Sequence, residues 1–142
     1  AGGQAIDLAS VGKPLTQSEL EQMHAYKTGA LIHTSVALGA RVSAGLAENE
    51  LANLSAFARA IGLAFQVVDD VLDAESDTTT LGKTAGKDAA ANKPTYVNIL
   101  GVGRAKELAN ELRVQALVSL DAFGTRARRL RELADFVVLR KF

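Results

Sequence analysis

Three aspartates, Asp69, Asp70 and Asp73, close the apolar stretch FQVVDDVLD, and Glu75 and Asp77 follow directly. Acids at a helix C-terminus oppose the helix dipole, and like charges one turn apart repel. Such a run calls for a compensating cation. On a helical wheel at about 100° per residue, with Asp69 at zero, Asp73 falls at about 40°, Gln66 at about 60° and Asp70 at about 100°. Phe65, Leu72 and Ile61 fall between about −40° and about −80°. Four oxygen-bearing side chains thus share an arc beside the face expected to be buried. Clustered carboxylates at the edge of a bundle need protons or cations, because isolated buried charge is costly. Hard oxygen ligands select Mg²⁺ or Ca²⁺, and Mg²⁺ held by a few carboxylates shares its shell with water and substrate phosphates. Downstream, Lys83, Lys87 and Lys93 punctuate LGKTAGKDAAANK. Carboxylates together with lysines suit a metal that bridges to a polyanion, and phosphoryl oxygens are the natural candidate. The plain alternative is a solvated acidic helix end.

Other motifs do not carry chemistry of their own. The acids lack the Gly and Glu offsets of an EF-hand loop, and GKTAGK has three residues between its glycines, where a phosphate-binding loop needs four. GVGRAK, residues 101–106, lacks a third Gly. His24 and His33 are too far apart for helical metal spacing and are expected to pack or face solvent. The basic run TRARRLREL, 125–133, is interleaved with Glu132 and reads as a solvated helix face. Lys27-Thr28-Gly29 lies mid-helix, where Gly costs about 1 kcal/mol relative to Ala. Close helix packing through Gly29 is one explanation of that triplet, and a functional role for Lys27 and Thr28 beside the aspartates is the other.

The elements that must position these residues are helical. Residues 2–10 read as a helix tail with VGKP as its exit. Thr16 and Glu19 form a capping box opening a helix to about residue 44. The next helix, about 48–73, carries Leu51, Leu54, Ala58, Ile61, Phe65, Val68 and Leu72 at alternating spacings of three and four, one continuous apolar stripe. A polar segment at 75–93 is long enough to be functional. A short helix then follows Pro94, and two more run from about 104 to 122 and from about 125 to 140. Alternating strand patterns are absent, which makes the class all-α, one domain over residues 1–142.

Composition agrees. Hydrophobic residues make up 48% of the 142, which is enough for a core, and there is no Cys. Lack of Cys fits a reducing cytoplasm. Sixteen basic residues balance sixteen acidic ones, so no net field draws nucleic acid or anionic membrane. No uninterrupted apolar run approaches the ~18 residues of a membrane span.

Taken together, FQVVDDVLD, LGKTAGKD and NKPTY resemble the second aspartate-rich region of the trans-isoprenyl diphosphate synthases, and GGQAIDL and HAYKTGALI resemble two further signatures of that family in the same order. The likeness is greatest to the bacterial farnesyl diphosphate synthases and runs from Ala1 to FVVLRKF. It implies a helical bundle of the isoprenoid synthase type, present as its C-terminal half. The first aspartate-rich motif and the arginines that accompany it have no counterpart here. The resemblance implies a missing N-terminal half as partner, a homodimer, Mg²⁺ as cofactor, and allylic and isopentenyl diphosphates as substrates. Asp69 resembles the direct ligand of one Mg²⁺, with Asp70 and Asp73 completing an acidic wall. Lys27 and Lys83 resemble the residues that hold the allylic diphosphate, and Lys93 another site lysine. Thr28 and Gln66 resemble the polar pair beside the developing carbocation, and Phe65 a wall of the prenyl site. The resemblance also suggests that Arg140, Lys141 and Phe142 could fold over the site entrance, and a frayed tail is the alternative. A geranylgeranyl or longer-chain synthase, or a non-catalytic diphosphate-binding subunit, is the alternative.

Overall fold

The first helix begins where its capping box places it. In the computed structural model, which describes residues 15–43, 45–80 and 94–140 (without the side chains of 77–80), the Thr16 hydroxyl accepts from Glu19 N at 3.3 Å. The Glu19 carboxylate in turn accepts from Thr16 N at 2.8 Å. Two of the four orphan donors at this end are thereby satisfied. From this cap run α1 (Gln17–His24), a π-helical turn (Ala25–Gly29) and α2 (Ala30–Val42). The sequence reads as one regular helix here; the π turn at Ala25–Gly29 has no periodicity signal. The expected helix tail at 2–10 lies outside the described residues.

After a turn through Gly45, whose φ is +87°, comes α3 (Glu48–Thr80). Its 33 residues extend past the expected end at 73, so Glu75 belongs to the helix, not to a loop. Then follow α4 (Tyr96–Leu100), α5 (Val102–Ser119), a 3₁₀ segment (Asp121–Ala127) and α6 (Arg128–Leu139). Gly101, at φ +78°, makes the corner between α4 and α5, a conformation that favours glycine. That is the structural use of the first Gly of the GVGRAK stretch. No strand occurs among the described residues.

α3 is the central helix, packed most extensively on α5 and also on α2, α4 and α6. A helix surrounded on several sides buries more than one stripe. Phe57, Ala58, Ala64 and Val67 are fully buried, whereas Leu51 is 36% exposed and Phe65 and Leu72 lie only partly covered. The stripe expected from the sequence is buried at Leu54, Ala58, Ile61 and Val68, and a second face through Phe57, Ala64 and Val71 is buried with it. Residues 48–76 are also long and apolar enough to cross a membrane by length and composition, which a count of uninterrupted apolar runs overlooks. In the fold, 56% of that window is buried against protein.

The basic run divides by position. Arg128 and Arg129 pair with Glu132 on the exposed face of α6, as expected of a solvated helix. Arg131 instead donates to Leu117 O at 3.1 Å and Leu120 O at 2.8 Å, capping carbonyls at the end of α5. On the outer surface of α2, Leu31, Leu38 and Val42 are exposed at 72%, 59% and 86%.

Candidate functional site

Two close helix approaches build the site. Gly29, at the end of the π turn, faces Gly62 of α3: a Cβ on Gly62 would lie 3.3 Å from Gly29 Cα. With no side chain at either position, the two backbones meet, and Thr28 comes into register with Gln66 one turn further along α3. Thr28 Oγ1 donates to Gln66 Oε1 at 3.4 Å. Gln66 is buried, and its Nε2 donates to Asp70 Oδ1 at 3.2 Å. Lys27, the residue before Thr28, is half-buried. The π turn that carries Lys27, Thr28 and Gly29 is a rare feature that recurs at functional positions.

The second approach is that of α4. Asp70 is buried, and its Oδ2 accepts the backbone N–H of Tyr96 at 2.9 Å. Thr95 Oγ1 accepts from Asn98 N at 3.1 Å. The N-terminus of α4 thus receives one acceptor from its own cap and a carboxylate from α3, which also complements the helix dipole. Tyr96 is fully buried and stacks on the ring of His24, centroids 5.6 Å apart. Burial raises its phenol pKa well above the usual value, with the nearby charges of Glu21 and Asp70 adding to the effect, so the ring stays neutral. His24 is a packing residue, and His33 bonds Ser55 Oγ at 2.7 Å.

The three aspartates do not form one wall. Asp69, with 46% of its side chain exposed, and Asp73, exposed, stand on the rim, whereas Asp70 turns into the fold toward Tyr96. Arg140, directly after α6, brings Nη2 to 3.4 Å from Asp69 Oδ1 and lays its guanidinium 4.5 Å above the Phe65 ring. Beyond Arg140 lies a groove of about 800 Å³ lined by Val68, Leu72, Asp73, Asn110 and Val138 among others. Among the described residues, no three His, Asp or Glu side chains converge to hold a metal unaided. The rim nevertheless offers two hard-oxygen donors one helical turn apart, which fits a Mg²⁺ whose remaining ligands are water and phosphate. Lys83, Lys87, Lys93, Lys141 and Phe142 lie outside the described residues.

This all-α bundle, whose central helix carries the rim, has the isoprenyl diphosphate synthase fold. The solved structure of a Helicobacter pylori geranyltransferase, complexed with magnesium and isoprenyl diphosphate, matches 96% of this chain and 44% of its own, at 35% identity and a TM-score of 0.72. The polyprenyl synthetase profile matches residues 1–125, and the chain belongs to that family. Farnesyl diphosphate synthase of Escherichia coli K12 is 42% identical over 142 residues, covering 98% of this chain. A chloroplastic geranylgeranyl pyrophosphate synthase of Capsicum annuum is 45% identical over 140 residues, covering 97%. The chain spans only 48% and 38% of those two proteins.

Two residues of this site carry little signal in the sequence, and the reach of a third, Arg140, back to Asp69 is not encoded locally. Gly62 looks like an ordinary glycine in an apolar helix, and only its partner 33 positions upstream gives it meaning. Tyr96 reads as part of NKPTY without showing that its backbone N–H is the acceptor's target. Arg140 lies 71 residues from Asp69.

Proposed function

We propose that the full protein carrying this chain is a trans-prenyltransferase that joins isopentenyl diphosphate to dimethylallyl or geranyl diphosphate, giving farnesyl diphosphate. The observation that carries this reading is the rim itself: accessible Asp69 and Asp73 beside the Thr28–Gln66 pair and the half-exposed Phe65. Mg²⁺, when bound, neutralises the leaving diphosphate and makes its departure feasible. Asp69 and Asp73 hold it, while Lys27, Lys83 and Lys93 supply further positive charge to the diphosphate. Asp70 acts from behind: by engaging Gln66 Nε2 it fixes the amide so that the carbonyl end faces Thr28. A carbonyl dipole oriented in this way stabilises positive charge developing on the adjacent allylic carbon. Phe65 forms apolar wall that keeps water from the cation.

The remaining parts of the reading are a missing N-terminal half, a homodimer and a cytoplasmic setting. Exposed Leu31, Leu38 and Val42 support the first, since apolar side chains aligned on one outer helix face suit a partner helix. The 142 residues alone are inactive on this reading, because the opposing metal-binding wall lies elsewhere. The test is elongation by the full-length protein supplied with dimethylallyl or geranyl diphosphate, isopentenyl diphosphate and Mg²⁺, with products resolved by mass spectrometry. Farnesyl diphosphate supports the proposal. A longer product favours a geranylgeranyl synthase, a reading supported by the Capsicum relative at 45% identity. No elongation at any metal concentration leaves only a non-catalytic diphosphate-binding subunit.

A further inference from the structure

We propose that Arg140 is a positioning residue that makes divalent-cation binding at Asp69 depend on a diphosphate being present; this rests on the functional reading above. The guanidinium is held at two points one turn apart on α3. It lies over the Phe65 ring at 4.5 Å, and its Nη2 stands 3.4 Å from Asp69 Oδ1. Only 15% of its side chain is exposed, although it sits at the very end of α6, where the backbone leaves the helix at ψ 140°. A terminal arginine without a task would extend into water. Its charge is permanent, and its planar fork both stacks on rings and pairs with phosphate oxygens.

The sign of its effect depends on what else is bound. A divalent cation alone at Asp69 must share the carboxylate with a guanidinium already there, and the two positive charges repel in a partly covered place where water screens weakly. Adding a diphosphate reverses this: the anion accepts from the guanidinium and the cation alike, and all three charges become mutually favourable. Arg140 therefore opposes metal alone and favours metal with diphosphate. By linkage, metal tightens diphosphate by the same factor. Holding α6 against α3 by packing alone would alter stability and leave that coupling untouched.

The test uses the full-length protein with Mn²⁺ as an electron-paramagnetic-resonance probe, titrated at fixed free metal with and without inorganic pyrophosphate. In wild type, pyrophosphate tightens Mn²⁺ binding. In Arg140→Gln, Mn²⁺ alone binds more tightly and the enhancement by pyrophosphate shrinks about five- to tenfold. Arg140→Lys keeps the charge and retains most of the enhancement. Should Arg140→Gln fail to fold by circular dichroism, Phe65→Leu releases the guanidinium from its ring and gives the same change at smaller amplitude. Unchanged enhancement in the folded variants, or weaker binding of Mn²⁺ alone, overturns the role of Arg140 while leaving the metal site intact. Wild type that binds no Mn²⁺ under either condition overturns both the site and this inference.

Discussion

Replacing Asp70 with Ala should destabilise the protein far more than replacing its neighbour Asp69. Asp70 accepts from Tyr96 N at 2.9 Å and from Gln66 Nε2 at 3.2 Å, and it is buried. A hydrogen bond to a charged group contributes about 1.5–3 kcal/mol, and stranding the buried Tyr96 N–H costs about 1–3 kcal/mol. Relief of the desolvation borne by the carboxylate offsets part of this, leaving a net loss of about 2–4 kcal/mol. Asp69 has one contact at 3.4 Å and is 46% exposed, so after discounting for solvent its removal should cost below about 1 kcal/mol. Urea unfolding of the two variants in the full-length protein gives the comparison. Hydrogen exchange at the Tyr96 amide gives the local readout, because that N–H loses its acceptor only in Asp70→Ala. Asp70→Asn keeps a carbonyl acceptor and should fall between the two. Equal stabilities for the Asp69 and Asp70 variants, or unaltered exchange at Tyr96, would refute the division of labour between them.

Gly62→Ala places a Cβ 3.3 Å from Gly29 Cα, so overpacking of about 1–3 kcal/mol outweighs a helix-propensity gain of about 1 kcal/mol. Gly29→Ala meets His24 O at 3.5 Å and Ala25 Cβ at 3.9 Å, ordinary contacts, and should be neutral or stabilising; urea midpoints in the opposite order would contradict the contact. The Glu19 carboxyl is held below its ordinary pKa by the Thr16 N–H and hydroxyl. Its stabilising effect is therefore present above the unfolded value and lost as pH falls through the lowered one, so Glu19→Gln should flatten the acid limb of a plot of Tm against pH. Phe57→Ala empties a fully buried site in the N-terminal part of α3 and should cost about 3–5 kcal/mol by denaturant unfolding.

The helices were legible in the sequence because their signals are local. Thr16 and Glu19 are three residues apart, and the 3-4 spacing along 51–72 identifies α3 without outside information. What escaped was set by distant partners. Leu51 shares the periodicity of Ile61 yet is exposed, since burial depends on which helices lie alongside. The π turn at Ala25–Gly29 ends where Gly29 meets Gly62, and spacing within Lys27-Thr28-Gly29 does not encode it. The 75–93 segment reads as a polar stretch between helices because Thr and Asp are weak helix formers, but α3 continues to Thr80.

The aspartates show how far a wheel can be trusted. Asp69 and Asp73 differ by about 40° in projection, close enough to present oxygens to one ion, whereas Asp70 is rotated by about 100° from Asp69. Two adjacent residues on a helix cannot face the same surroundings, so a pair of neighbouring acids is under pressure to serve two purposes. Here one of them meets solvent and Arg140, and the other meets the first turn of α4. Gln66, about 60° round and one turn earlier, bonds Asp70 on one side and Thr28 on the other. The acid that leaves the rim thereby determines the orientation of the amide that remains next to it. A change at Asp70 would be felt at Thr28, two hydrogen bonds away, even though neither rim carboxylate had been touched.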